Sequence, residues 1–158
     1  MGLMKAIFSG IACLLTACGP MLAAPLGITV PAYFYPGPLW DQLNAAAGEV
    51  PLTAIMNPAS GPQAGPADVT NYNFAVRALQ AAGGRVIGYV STRYGDRPLS
   101  EVIADIDLYL TQYTPLNGFF MDEMKQAPGA VDLLYYQEIY RYIKSKNAAY
   151  HEIGRAHV

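Results

Sequence analysis

Between residues 25 and 150 the sequence contains no histidine and no cysteine. The second of its two cysteines is Cys18, and its two histidines, His151 and His157, come after this stretch. These absences exclude Ser-His-Asp and Cys-His catalysis, the usual zinc sites and a disulfide framework from residues 25–150. Acid–base chemistry in this stretch therefore depends on Asp, Glu, Tyr or Lys.

The sequence also has little net charge. Its 10 Lys and Arg residues and 12 Asp and Glu residues give a formal net charge of −2 at neutral pH. A nucleic-acid-binding protein needs a clustered basic surface. We therefore predict that the chain has no nucleic-acid partner.

Residues 1–24 are typical of an export signal. One early positive charge precedes an apolar run that is too short to span a bilayer as a stable helix. Leu15-Thr16-Ala17-Cys18 then matches the bacterial lipobox, whose cysteine is lipidated after cleavage. We predict a periplasmic or outer-membrane lipoprotein that contacts the membrane only through a lipid on Cys18. The alternative is ordinary cleavage near Ala23 or Ala24, which would make the protein secreted.

Residues 151–158 show neither apolar periodicity nor a helix stop signal. From Glu152 onward they match the conceptual translation of a common sequencing-library adapter. We expect residues 151–158 to be an artefact, the alternative being a genuine polar tail. Residues 25–150 are then left for the fold, which is enough for one domain.

Four short apolar runs predict β-strands, and a helix-compatible segment follows each of them. The runs are Ile28–Tyr35, Leu52–Asn57, Arg85–Ser91 and Gly118–Met121, and the predicted helices are Leu39–Ala47, Val69–Ala82 (with Asp68 as N-cap), Leu99–Tyr113 and about Val131–Asn147. The strands are apolar at both alternating positions, as in a parallel sheet buried on both faces. Strand starts recur at intervals of 24, 33 and 33 residues, which indicates repeated β/α units and a parallel α/β fold.

Such units close either into an open doubly wound sheet or into an eightfold barrel. No Gly-rich phosphate loop follows the first strand, where Tyr35-Pro36-Gly37-Pro38 lies instead. This disfavours the nucleotide-binding form of the open sheet. We therefore predict a (β/α)8 TIM barrel that is truncated after about four units, since eight units need about 250 residues.

The active site of a β/α barrel lies at the C-terminal ends of its strands. The chemistry-bearing residues at those positions are Tyr33, Tyr35, Asn57, Tyr89, Ser91, Thr92, Tyr94, Asp122 and Glu123. Aromatic rings stack on the apolar faces of pyranoses, amides and hydroxyls hold sugar hydroxyls, and glycoside hydrolysis uses two carboxyl groups. We predict a glycoside hydrolase in which Asp122 and Glu123 are catalytic. The predicted substrate-binding residues are Tyr33, Tyr35, Asn57, Tyr89, Ser91 and Tyr94.

Each of these residues also has a structural interpretation. The tyrosines could fill the barrel, Asn57-Pro58 could end a strand as a turn, and one carboxylate could cap a helix. Adjacent strand residues face opposite sides, so Asp122 and Glu123 can share a cleft only if the strand has ended at Asp122. Asp105 and Asp107, on a predicted helix, are expected on a solvated face.

The strand-end motifs resemble those of the spherulation-specific family 4 proteins. They are Pro31-Ala32-Tyr33-Phe34-Tyr35-Pro36, Ile55-Met56-Asn57-Pro58-Ala59-Ser60-Gly61-Pro62, Gly88-Tyr89-Val90-Ser91-Thr92 and Gly118-Phe119-Phe120-Met121-Asp122-Glu123-Met124. The resemblance covers Ile28–Asn147. It implies a β/α-barrel glycoside hydrolase that cleaves α-1,4-linked galactosamine-type polysaccharide of biofilm or cell-wall matrix, with Asp122 and Glu123 as the family's acidic pair.

The resemblance also implies a further catalytic Glu on a later strand, to which nothing in this sequence corresponds. We therefore expect the chain as written to be inactive. We predict a polysaccharide substrate, no metal and no cofactor. A non-catalytic carbohydrate-binding or envelope-matrix protein on the same barrel is the alternative. A Mg²⁺- or Ca²⁺-dependent enzyme is disfavoured because hard cations prefer several convergent oxygen ligands and only this pair is visible.

Overall fold

A computed structural model of the chain describes residues 26–113 and 115–156. The predicted export signal and the lipidation site Cys18 lie outside the described residues. The elements, in chain order, are β1 (Ile28–Ala32), α1 (Pro38–Ala47), β2 (Leu52–Met56), α2 (Pro66–Ala81), β3 (Arg85–Ser91), a 3₁₀ turn (Arg93–Gly95), α3 (Leu99–Gln112), β4 (Gly118–Met124), α4 (Ala130–Lys146) and β5 (His151–Ala156).

The five strands form one curled parallel sheet in the order β1-β2-β3-β4-β5. Sequential parallel pairing needs a crossover between neighbouring strands, and a helix supplies it each time. The predicted parallel α/β architecture is therefore confirmed. Because all strands run the same way, their C-terminal ends meet at one edge.

The two faces of the sheet bury different residues. On the face covered by the helices, Val86 and Val90 of β3 join the main core with buried helix residues such as Trp40. On the opposite, inner face, a smaller apolar cluster consists of Ile55, Ile87, Tyr89 and Phe120. The period-2 alternation of strands produces this division, so the side chain that follows Tyr89 on the inner face of β3 is Ser91.

Proline and glycine mark the ends of helix α2. It begins at Pro66, and its N-cap is Gly65. Proline suits the first turn because the N–H groups there have no intrahelical partner, so the N–H that proline lacks is not missed. The prediction of Asp68 as N-cap was therefore wrong, and Asp68 lies in the first turn. Gly83, with φ +94°, lies just beyond the helix in a conformation that favours glycine, and it ends the helix.

Strand β1 is shorter than predicted and strand β4 is longer. β1 pairs with β2 only as far as Ala32 opposite Met56, so Tyr33 to Tyr35 leave the sheet. β4 continues to Met124 with a register shift between Met121 and Met124. The extension places Asp122 and Glu123 inside a strand, not after it.

Residues 151–156 form strand β5, where the sequence predicted no element. β5 pairs with β4 from Gly118 opposite His151 to Met124 opposite Ala156. Residues 151–156 lack an apolar pattern and still form a strand, because a parallel ladder uses backbone groups and does not need such a pattern at a sheet edge. Only glycine fits at Gly118, since a Cβ there would lie 1.9 Å from the His151 carbonyl oxygen. The adapter origin of residues 151–158 stays a prediction.

Within residues 26–113 and 115–156, no helix has the length and apolar character needed to cross a membrane.

Candidate active site

Two adjacent carboxylates reach the inner face at the C-terminal end of β4. Phe120 faces inward and Met121 faces the helices, so strand alternation returns Asp122 to the inner face. Glu123 has a left-handed φ of +53° at the register shift. Its carboxylate accepts a short hydrogen bond from Ser91 Oγ, which also lies on the inner face. A β-bulge or similar irregularity can turn a side chain onto the face opposite to the one that strict alternation would give it.

Thr92 holds this irregular segment in place. Its side chain is fully buried, and its hydroxyl lies 2.8 Å from the carbonyl oxygen of Glu123 and 3.1 Å from that of Asp122. The Thr92 backbone N–H also donates to the Asp122 carbonyl at 3.0 Å. A left-handed backbone costs a residue with a Cβ roughly 1–2 kcal/mol. The Thr92 contacts offset that cost and keep both carboxylates on one side.

Two tyrosines surround Asp122. Tyr89 is buried and hydrogen-bonds the Asp122 carboxylate. The Tyr33 ring lies edge-on to the Tyr89 ring, with the two ring centroids 5.5 Å apart. Burial and then the charge of Asp122 raise the pKa of Tyr33 to about 12. Burial, the charge of Asp122 and the hydrogen bond to it raise the pKa of Tyr89 as well. Both phenols therefore stay protonated at neutral pH and can donate hydrogen bonds.

Glu123 opens onto a polar cleft of about 380 Å³. The lining residues are Ser60, Gln63, Tyr89, Ser91, Arg93, Arg97, Asp105 and Glu123. Hydroxyl, amide and guanidinium groups therefore surround one face of the Glu123 carboxylate. Such a wall can donate hydrogen bonds to the hydroxyl and amide groups of a sugar.

An ion pair beneath the cleft organises its wall. Arg97 Nη1 lies 2.6 Å from Asp105 Oδ2 and 3.1 Å from the Ser91 carbonyl oxygen, and Gln63 donates to Asp105 at 2.7 Å. Burial disfavours the charge of Arg97, but the hydrogen bond and charge of Asp105 outweigh it, so the pKa of Arg97 is raised. The pair thus connects the segments that follow β2 and β3 to helix α3.

The expectation of a solvated Asp105 was wrong. Asp105 is only 3% exposed because α3 turns this residue toward Arg97. Asp107 remains more accessible and pairs with Lys146 at 2.9 Å and with the Tyr142 hydroxyl. Helical spacing alone does not distinguish the two positions, since the difference depends on an arginine outside the helix.

The structure brings together five of the predicted site residues. Asp122, Glu123, Tyr33, Tyr89 and Ser91 contact one another through the hydrogen bonds and ring contact described above.

Three further predicted residues lie elsewhere. The Tyr35 hydroxyl donates to Asp68 and accepts from Asn71, both on α2, so it faces away from the cleft. Asn57 Oδ1 accepts the Gly61 backbone N–H at 2.9 Å, which is the turn role given as the alternative. Tyr94 is half-exposed in a left-handed turn and does not line the cleft.

Sequence reasoning missed five residues of the cleft wall, namely Ser60, Gln63, Arg93, Arg97 and Asp105. Four of them lie in the segments that follow β2 and β3, where barrel enzymes place active-site residues. Reading these whole segments, not only the first residues after each strand, would have found those four.

Among residues 26–113 and 115–156, no group of three or more His, Cys, Asp or Glu residues could hold a metal ion.

Comparisons with known proteins agree with the motifs. The sequence model of the spherulation-specific family 4 matches residues 27–156. Spherulin-4 of Physarum polycephalum is 43% identical over 124 residues, which cover 78% of this chain and 36% of that protein. The crystal structure of Aspergillus clavatus Sph3 in complex with GalNAc is 29% identical and superposes with a TM-score of 0.70. That match covers 82% of this chain and 57% of Sph3, so the chain spans much less than the full length of either relative.

Proposed function

The chain belongs to the spherulation-specific family 4, and from this premise we propose that it is the N-terminal part of an endo-acting glycoside hydrolase. The proposed substrate is an α-1,4-linked galactosamine-type polysaccharide of biofilm or cell-wall matrix. The Sph3 structure is a complex with GalNAc, which supports an amino-sugar ligand for this chain.

The observation that carries the proposal is the inward pair Asp122 and Glu123. Glycoside hydrolysis passes through a positively charged, oxocarbenium-like transition state and uses two carboxyl groups. One protonates the leaving oxygen, and the other stabilises the developing charge or activates the attacking group. Holding a carboxylate in a left-handed backbone conformation is costly, and such strain clusters at functional sites.

Tyr33, Tyr89 and Ser91 are proposed to orient the sugar. The half-exposed Tyr33 ring offers a stacking face, and the protonated phenols donate hydrogen bonds. The guanidinium of Arg93 and the amide of Gln63 extend the cleft toward the next sugar unit. Acid–base work then needs no metal ion in this mechanism.

We also propose that the relatives' greater length reflects a continuing barrel. The remaining β/α units would supply the further catalytic Glu and complete the eightfold closure. Export through residues 1–24, with lipidation of Cys18 or secretion, would place the enzyme where matrix polysaccharide is found. Metabolic labelling with a fatty-acid analogue tests the anchor, because Cys18→Ser should abolish incorporation.

The test is the release of new reducing ends from an α-1,4-linked galactosamine polymer. The protein should be expressed from its complete genomic reading frame. Amylose serves as a comparison substrate that has the same α-1,4 linkage but consists of glucose, so it lacks the amino group and has the other configuration at C4. Release from the amino-sugar polymer alone, unchanged by a chelator, is the expected result. Tight binding without release would favour the alternative of a non-catalytic carbohydrate-binding protein.

A further inference from the structure

The segment after β1 carries three consecutive aromatic residues, Tyr33 to Tyr35. Tyr33 contacts Tyr89 of the cleft wall, Phe34 packs against the buried Trp40, and Tyr35 lies over α2. Tyr35 is 52% exposed, and its hydroxyl is held 2.8 Å from Asp68 and 2.6 Å from Asn71. Tyr33 thus contacts a residue of the cleft wall, whereas Tyr35, two residues later, is bound to helix α2.

Beyond Tyr35 a shallow groove of about 430 Å³ runs between α1 and α2. Its lining includes Tyr35, Trp40, Asp41, Asn44, Asn71 and Phe74. Aromatic rings, amides and a carboxylate thus alternate in the groove. A purely apolar interface does not have this composition, which is that of a surface for hydroxyl-rich ligands.

Phe74 is the most distinctive residue of this groove. It is 69% exposed, although Tyr72 and Val76 on the same helix are buried in the core. A second hollow of about 240 Å³ adjoins it and is lined by Thr70, Asn73, Phe74 and Arg77. The ring therefore stands between two polar depressions.

Each depression is lined by an asparagine whose buried amide oxygen has no hydrogen-bond donor among the described residues. Asn44 Oδ1 and Asn73 Oδ1 are buried, and neither accepts a hydrogen bond from any residue that the structure describes. Asn44 lines the groove and Asn73 lines the second hollow. A buried acceptor without a donor is costly. Asn73 Nδ2 already donates to the Gln112 carbonyl oxygen at 2.7 Å, so the Asn44 amide is the one that a sugar hydroxyl would satisfy after a small rotation.

We propose that the α1–α2 groove around Phe74 is an accessory carbohydrate site. It would bind pyranose units of the same polysaccharide that enters the cleft, with Phe74 as the stacking platform and Tyr35 at the end of the groove from which the chain leads back to Tyr33. An endo-acting enzyme gains from such a site because a second attachment raises the effective concentration of polymer at the cleft. The inference rests on the proposed polysaccharide substrate.

The test separates polymer binding from cleavage of short substrates. Phe74→Ala, in a Glu123→Gln background that prevents turnover, should weaken retention on the galactosamine polymer about tenfold, as expected for one lost stacking contact. Phe74→Trp should retain wild-type binding. Tyr140→Ala is the control, because it removes another half-exposed aromatic ring on the distant helix α4 and should change nothing.

Phe74→Ala with an intact Glu123 should still cleave a short oligosaccharide at the wild-type rate, because the cleft is unchanged. Equal polymer retention by Phe74→Ala and wild type would overturn the accessory site while leaving the proposed hydrolase standing. Loss of retention in Phe74→Ala without any cleavage by wild type would support the site and contradict the enzyme. Absence of polymer binding by the wild type would overturn both.

Discussion

Replacing Thr92 by valine tests whether its hydroxyl maintains the two inward carboxylates. Valine keeps the shape and the β-branch but removes the donor that lies 2.8 Å from the Glu123 carbonyl and 3.1 Å from the Asp122 carbonyl. A hydroxyl has one hydrogen, so Thr92 donates to only one of the two carbonyls at a time, and the substitution removes one hydrogen bond. Because Thr92 is fully buried, leaving one of these carbonyls without its donor should lower the free energy of unfolding by about 1–3 kcal/mol.

The free energy of unfolding can be measured by urea denaturation, using the fluorescence of Trp40. This is the sole tryptophan of the chain and is 2% exposed, so its emission should change on unfolding. Thr92→Ser is the matched control, since it retains the hydroxyl and loses one methyl group, which costs about 1 kcal/mol.

Activity distinguishes positioning from simple stability. Without the Thr92 hydroxyl, the left-handed Glu123 can relax and withdraw its carboxylate from the inner face, so Thr92→Val should lose reducing-end release. Thr92→Ser should retain it at a temperature where both variants are folded. Equal loss in the two variants, or unchanged unfolding of Thr92→Val, would refute the assigned role of the hydroxyl.

Three other perturbations test different parts of the structure. Arg97→Met leaves Asp105 buried without its ion-pair partner and should lower the free energy of unfolding, measured in urea, by about 3–5 kcal/mol. The double variant Arg97→Met with Asp105→Leu should recover part of this loss. A loss in the double variant equal to the sum of the two single losses would contradict the pairing. Tyr33 has a raised pKa, so its contribution to stability is fully present below pH 10 and decreases as the pH rises toward 12. When phenolate absorbance is followed with rising pH, Tyr33→Phe should lack one of the tyrosines that ionise above pH 10. A titration curve identical to that of wild type would exclude a raised pKa for Tyr33. Genomic sequencing across Tyr150 should reveal further β/α units and a strand-end Glu, whereas a stop codon after Val158 would contradict the adapter interpretation.

Strand periodicity predicted much of the sheet, because buried parallel strands are apolar on both faces. The bounds of β3, Arg85–Ser91, agree with the structure exactly as predicted. The rule that parallel strands share one C-terminal edge also brought Tyr33, Ser91 and the acidic pair together. These features depend on local pattern and on topology, which a sequence carries directly.

The remaining features depend on contacts between distant residues. The left-handed φ of Glu123 is maintained by Thr92, which lies on the neighbouring strand's end, and no local signal at Glu123 indicates it. Tyr35 leaves the cleft because Asp68 and Asn71 bind its hydroxyl from α2. Asp105 becomes buried because Arg97 neutralises it.

The most direct test of the account compares Asp122→Asn and Glu123→Gln with wild type on the galactosamine polymer, all three expressed from the complete genomic reading frame. Each change removes one ionisable carboxyl group with almost no change in shape, and Glu138→Gln on the exposed face of α4 is the matched control. The account predicts that both site variants still bind polymer while kcat falls by at least about 100-fold, the lower range for losing an acid–base group. Glu138→Gln should match wild type. Full cleavage by both site variants would contradict the assignment of this pair as the catalytic carboxylates.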